Sequence, residues 1–281
     1  MAKEDKKLKG FLSQEVKKLL GIVSKLEASG KQLVIDGISS ELTDTKKKQL
    51  IAQLKANAAI TDVAIKEWLV KSVSGSYVAG LNTTDEVLKK FGIKTGMGKI
   101  HVEVLKSLPE LKPHLAAVNA LMSDAYLDFG SGITGWIKGT DHILNDIIKQ
   151  QIQAQISVGR LDGEGVRAIK KDILATLKSQ GFEALIDRGG NQWTLERYSE
   201  MLTRTHLIRA NNESNINRMK EFGVDLVEVS SHGATDQICE PLEGKIFSLS
   251  GNSDVYPQLD QEPPFHPNCA HSLQPRPDLE A

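Results

Sequence analysis

The sequence predicts an α+β protein: a predominantly helical region, then a long helix and a small antiparallel β domain carrying a Cys/His knuckle. Three observations predict it. Apolar residues recur at three- and four-residue spacing through most of the first 180 positions, the pattern turns to short alternating runs after Gly181, and both cysteines, Cys239 and Cys269, fall in the last fifth of the chain beside histidines. With 281 residues the chain has room for two modest units, because single cores stop growing near roughly 250 to 300 residues. The expected division is a helical region over 1–180, read as a docking region, and a second domain over 181–281.

The elements follow in order. Leu8, Phe11, Leu12, Val16, Leu19, Leu20, Val23 and Leu26 line one face of a helix whose other face is filled by lysines. That basic face is either solvated surface or a docking face for a protein or for DNA phosphates. Glu41 to Val73 reads as a second helix, with Thr43 or Asp44 as N-cap and Leu50, Ile51, Leu54, Ile60, Val63, Ile65, Trp68 and Leu69 as its apolar residues. Gly75 to Thr84 is expected to break it. A short helix over Asp85 to Phe91, a glycine-rich loop from Gly92 to Gly98, and helices near Ile100–Leu108, Pro113–Phe129, Ile133–Ser157 and Asp162–Gln180 come next.

Phe182 to Trp193 reads as two short strands around Asp187-Arg188-Gly189-Gly190-Asn191, since paired glycines supply the positive φ that tight hairpins need. Thr194 then caps a long amphipathic helix bearing Tyr198, Met201, Leu202, Leu207, Ile208, Ile216 and Met219, and Gly223 stops it. Strands are expected over Asp225–Ser230, Lys245–Leu249 and Cys269–Leu273.

Composition narrows the function classes. Lysine plus arginine number 35 against 36 aspartates and glutamates, so no global basic field advertises nucleic acid and any DNA contact is local. Met1 to Lys9 is charged and lacks a secretory apolar core, and no run approaches the roughly 18 apolar residues of a membrane span. The expected setting is the cytoplasm or a particle assembled there, where cysteines favour metal ligation over a disulfide. The strings of zinc deaminases, gluzincins, phosphate-binding loops and nucleophile elbows are missing. The loose motifs of His-rich nucleases leave a metal-dependent hydrolase as the enzyme alternative.

His232, Asp236, Cys239, His266, Cys269 and His271 gather zinc-compatible ligands into two short-spaced clusters. Asp236 and Cys239 have the two-residue gap of a knuckle, and His266, Cys269 and His271 form the second group. Spacing alone leaves two readings: a closed structural site, or two buried thiols with surface histidines.

Four ordered blocks resemble the phage minor capsid (minor head) family, related to the Mu F-like head morphogenesis domain. They run from Trp193 to Thr205, Val227 to His232, Cys239 to Gly251 and Pro263 to His271, within roughly Phe182 to Pro275. The resemblance implies a non-enzymatic virion protein of the head interior or portal vertex, assembled in the host cytoplasm, with a role in head assembly or early DNA ejection. Its implied partner is the portal protein, with scaffold or major capsid protein and phage DNA as further candidates and no membrane at the assembly stage. DNA binding as a packaging or ejection factor is the competing function.

The resemblance also implies a structural zinc ion. In the family a Cys-x-x-Cys pair precedes the strand and a His-Pro-x-Cys-Arg-His-like string closes the domain. Here Asp236 stands at the first cysteine position and Ala270 where arginine is usual. The implied ligands are Cys239, Cys269 and His266 with one of Asp236, His232 or His271. Arg204 and Arg209 on the long helix are read as a partner-facing or structural pair, or as plain solvated surface.

Overall fold

The computed structural model describes residues 2–39, 43–157, 185–187 and 189–280. The helix expected over Asp162–Gln180, the first residues of the expected hairpin and the boundary at 180/181 lie outside them. In chain order the elements are α1 (Ala2–Ser39), α2 (Asp44–Lys90), α3 (Val102–Ser107), a 3-10 turn (Pro109–Leu111) and α4 (Lys112–Ser157). There follow β1 (Leu185–Ile186), β2 (Gln192–Trp193), α5 (Leu195–Glu221), β3 (Leu226–Val229), β4 (Ile246–Ser248), β5 (Leu273–Pro275) and a final 3-10 turn (Pro277–Leu279). The α+β class is as expected, helical first with a small antiparallel sheet last. No helix among the described residues is long and apolar enough to cross a membrane.

Two compact units divide the chain. The first takes Met1–Lys17, Glu67–Tyr126 and Met201–Ala281; the second takes Lys18–Lys66 and Leu127–Glu200.

In the second unit, Leu19, Val23, Leu26, Leu54, Ile65, Trp136, Leu144, Leu185 and Leu195 are buried. Small residues decide how closely the helices meet. A Cβ on Gly30 would sit 2.9 Å from Trp136 Cζ2, and one on Gly132 would sit 2.7 Å from the Tyr198 ring. The hairpin forms as expected around its glycines, with Leu185 opposite Trp193 and Ile186 opposite Gln192. Asp187 closes it: its carboxylate accepts from Asn191 N at 2.9 Å and from Trp193 Nε1 at 2.9 Å. Those donors, the Asn191 side chain foremost, hold the Asp187 carboxyl down at about 2.

In the first unit, the sheet order is β4-β3-β5, with Val227 opposite both Phe247 and Pro275. Its core joins Leu88 of α2, Ile216 and Met219 of α5, and Val227, Val229, Phe247, Phe265 and Leu273 of the sheet region, with Cys239 and Cys269 at the same core. The start of α5 belongs to the second unit, where Thr194 caps the helix through Arg197 N at 3.1 Å. Gly223, at φ 68°, ends it, with Val224 N reaching Met219 O at 3.0 Å, the closing bond of a left-handed C-cap.

Three sequence expectations need correction. Gly75 to Thr84 does not break α2, and Phe129 to Ile133 does not divide the helix that became α4. Gly80 and Gly132 are contact points. A Cβ on Gly80 would lie 2.5 Å from the Asn211 carbonyl and against the Ser214 hydroxyl, so glycine is what lets α2 and α5 touch there. The third correction concerns β5, which starts at Leu273 and not at Cys269, because Cys269 to His271 turn inward before pairing with β3 begins.

Helix α5 also departs from the amphipathic pattern. From Leu202 to Met219 only Arg209 is exposed. Its polar residues are buried and partnered: Asn212 donates to His271 O at 3.0 Å and accepts from Leu273 N at 2.9 Å, while Asn215 donates to Leu273 O at 3.2 Å. Arg218 grips Asp85 through two bonds of 2.7 and 3.2 Å, reaches Glu221 at 2.6 Å and lies 4.7 Å from the centre of the Phe222 ring. Glu221 in turn accepts from His114 Nε2 at 2.7 Å, and the Tyr77 hydroxyl donates to His114 Nδ1 at 2.9 Å.

Candidate metal centre

Two turns build the site. After β3 the chain loops to Asp236, whose Oδ1 accepts from Ile238 N at 3.0 Å and Cys239 N at 2.8 Å. Asp236 thereby closes the turn that points Cys239 inward, and the Cys239 amide is the main reason its carboxyl is lowered. In the second turn Asn268 adopts φ 65°, a left-handed geometry that asparagine tolerates, and Cys269 N bonds His266 O at 3.1 Å. His266 and Cys269 are brought together on one side.

Cys239 and Cys269 are essentially unexposed, their sulfurs 4.0 Å apart. His266 Nε2 lies 3.1 Å from Cys239 Sγ, and the ligand atoms of these three residues all fall within 4.8 Å of one another. His271 Nδ1 lies 3.3 Å from Cys269 Sγ, adjoining this group of three without belonging to it. A tetrahedral zinc ion with bonds to sulfur of roughly 2.3 Å spaces its sulfurs about 3.8 Å apart, so the thiol separation fits.

The hydrogen bonds around the two imidazoles supply an independent test of fit. His266 Nδ1 lies 2.7 Å from Pro267 O, and a carbonyl only accepts, so this nitrogen carries the proton. His271 Nε2 lies 2.8 Å from Glu243 Oε1, and that carboxyl is held down at about 2 by the backbone donor of His232 first, with His271 and neighbouring amides adding to it. It too must be receiving a proton. In the neutral imidazole of each, the inward nitrogen, His266 Nε2 or His271 Nδ1, then has its lone pair facing the thiols, as metal-binding histidines held by an outer acceptor have. Burial, and next the neighbouring Cys269, push the Cys239 thiol up to about 12. Without a cation Cys239 keeps its proton; a bound metal displaces it.

Of the six residues singled out from sequence, the fold brings together Cys239, His266 and Cys269, with His271 adjoining. Asp236 Oδ2 stays 3.8 Å from His266 Nε2 while its other oxygen holds the turn. His232 is directed elsewhere: its Nε2 pairs with Ser230 Oγ at 2.8 Å, and its ring stands edge-on to His271 at 5.1 Å. Arg209 makes a 3.4 Å ion pair with Asp124, both about half exposed, and Arg204 is half-buried. Sequence reading passed over Glu243 and Asn212, which hold His271 by its ring and by its carbonyl. One signal was present, a run of uncharged amides on a long helix where a solvated face would carry Lys and Glu.

Comparison with known proteins agrees with this architecture. Residues 53–275 match the family described as phage minor capsid protein 2, a span reaching far upstream of the four blocks into α2. A structural protein of Lactococcus phage LL-H is 23% identical over 264 residues, covering 86% of this chain and 70% of that protein. No solved structure matches significantly. With most of its length inside the match, from the second helix to the last strand, the chain belongs to the phage minor capsid protein 2 family.

Proposed function

We propose that this capsid protein is a portal-associated minor head component acting in head assembly or early DNA ejection, its C-terminal knuckle closed by a structural zinc ion. Zinc is held by Cys239, Cys269 and His266 with a fourth donor beside them. Its chemistry there is structural: a closed four-ligand site ties two turns of a small core together. No catalytic step is assigned to it.

The observation that carries the docking role is an apolar stripe on α2 within the matched span. Ala56, Ala59, Ile60 and Val63 share one face of the helix, with Ile60 72% and Val63 56% exposed. Single exposed apolar residues are ordinary, but a contiguous stripe suits a protein partner. The portal protein is the partner this reading commits to.

The test is co-expression with the portal protein of the same genome, followed by pull-down and native mass, with zinc measured on the same sample. A complex that carries about one zinc per chain supports both parts. The Ile60→Glu, Val63→Glu double variant is expected to lose the complex and keep its helix content. A complex without zinc removes the knuckle and leaves the docking. Absence of a complex overturns the portal role; if DNA is then retained in a salt-sensitive way, the role passes to DNA binding.

A further inference from the structure

The structure offers two candidates for the fourth donor, a carboxylate oxygen of Asp236 and a nitrogen of His271, and it treats them differently. Asp236 is nearly half exposed and already spends Oδ1 on two backbone amides. His271 is 3% exposed, and its Nδ1 is 3.3 Å from Cys269 Sγ. Its ring lies beside two others, Phe265 tilted at 6.0 Å and His232 edge-on at 5.1 Å, and Asn212 donates to its backbone carbonyl at 3.0 Å. What remains free to choose is the proton, and Glu243 chooses it.

Glu243 does more than bind one imidazole. Its Oε1 accepts from His271 Nε2 at 2.8 Å, His232 N at 2.7 Å and Ala234 N at 3.1 Å, and its Oε2 accepts from Gly233 N at 3.1 Å. Three successive amides of the loop after β3 thus converge on the carboxylate that fixes the His271 tautomer. The side chain is 13% exposed, sheltered from competing water.

We propose that Glu243 is the positioning residue of the metal centre. It holds the proton of His271 on Nε2, so that Nδ1 serves as the fourth ligand, and it makes the order of the 232–234 loop and closure of the metal site a single event. The inference rests on the zinc reading above and deepens it. The ligand set it assigns is Cys239, Cys269, His266 and His271, two thiolates and two imidazoles, with Asp236 as a turn-closing residue outside the coordination shell.

The experiment uses the full chain with zinc or cobalt(II) alone as probe. Zinc affinity is measured by chelator competition, the cobalt spectrum reports sulfur and nitrogen donors in a tetrahedral field, and amide exchange follows residues 232–234. Glu243→Gln is expected to weaken zinc roughly 10- to 100-fold, the range for loss of an outer carboxylate, and to lower loop protection in the same sample. His271→Ala is expected to change the cobalt spectrum, and Asp236→Asn, which keeps an acceptor oxygen for the turn, to leave the spectrum as it was. Circular dichroism of each variant separates ligand loss from unfolding.

If Asp236→Asn changes the spectrum while Glu243→Gln and His271→Ala do not, Asp236 is the ligand and the proposal is overturned. If Glu243→Gln loosens the loop with no change in affinity, the carboxylate is a loop tie alone, and the proposal again fails. Wild-type protein that takes up neither metal defeats the zinc reading itself, an outcome distinct from either of these.

Discussion

The first unit buries an arginine, an aspartate and a run of asparagines among its helices, whereas the second brings helices together over glycines pressed against aromatic rings. Arg218 and Asp85 are each 4% exposed, and every polar contact they make is to a named partner. Gly30 and Gly132 meet Trp136 and Tyr198 with no room for a methyl group. The two cores are vulnerable in opposite ways: one to removal of a charge, the other to addition of volume. A buried ion pair adds little net stability, yet losing one member strands the other, and a filled interface has nowhere to put an extra atom.

Tryptophans report on the units separately, since Trp68 lies in the first and Trp136 and Trp193 in the second. The largest effect is expected from Asp85→Ala, which strands Arg218 and costs about 3–5 kcal/mol, read from Trp68 fluorescence in denaturant. Replacing Asp85 and Arg218 together with apolar residues of similar volume should recover most of it. Full loss in the double variant would mean that the bonds Arg218 makes to Glu221 and, at 3.2 Å, to the backbone carbonyl of Thr95, and not the pair, hold that core. Next, Gly30→Ala should cost the second unit roughly 1–3 kcal/mol through overpacking, followed by Trp136. By contrast Gly130, with open space around it, should gain about 0.5–1 kcal/mol as alanine, the ordinary helix-interior difference. Equal effects at the two glycines would remove the packing argument.

A smaller loss is expected in the first unit from Asn212→Ala, about 1–3 kcal/mol at most, because Leu273 N and the His271 carbonyl lose a buried partner. Arg209→Ala, whose pair with Asp124 is exposed, should stay within about 0.5 kcal/mol. The last prediction concerns pH. The Asp187 carboxyl is lowered to about 2 from an ordinary 3.8, so its contribution to the hairpin is fully present above the ordinary value and is lost as pH falls through about 2. The Trp193 indole N–H, bonded to Asp187, should show that acid transition by NMR and lose it in Asp187→Ala.

Much of the fold was legible in the sequence, and little of this contrast. Apolar spacing gave the helices, Thr194 and Gly223 gave the bounds of α5, and the short spacings around Cys239 and Cys269 named the residues that meet. Periodicity carries no information about how near two helices come, so Gly75 and Gly80 read as breaks when they are contact points. Arg218 was hidden for a related reason. A polar residue on a helix looks the same in sequence whether it faces water or a buried carboxylate, and its partner Asp85 is 133 positions away. Glu243 reads as one more turn residue until the loop it gathers is seen.

The order in which the chain is made adds a constraint. Neither unit is continuous: the second has all its segments once Glu200 has been made, while the first joins Met1–Lys17 and Glu67–Tyr126 to Met201–Ala281, which is made afterwards. At translation rates of about 5–20 residues per second, those last residues take roughly 4 to 16 s to appear. Throughout that interval the part of α2 that meets α5, at Gly80, Thr84 and Asp85, lacks its partner, and Cys239, His266 and Cys269 follow still later than the helix they pack beside.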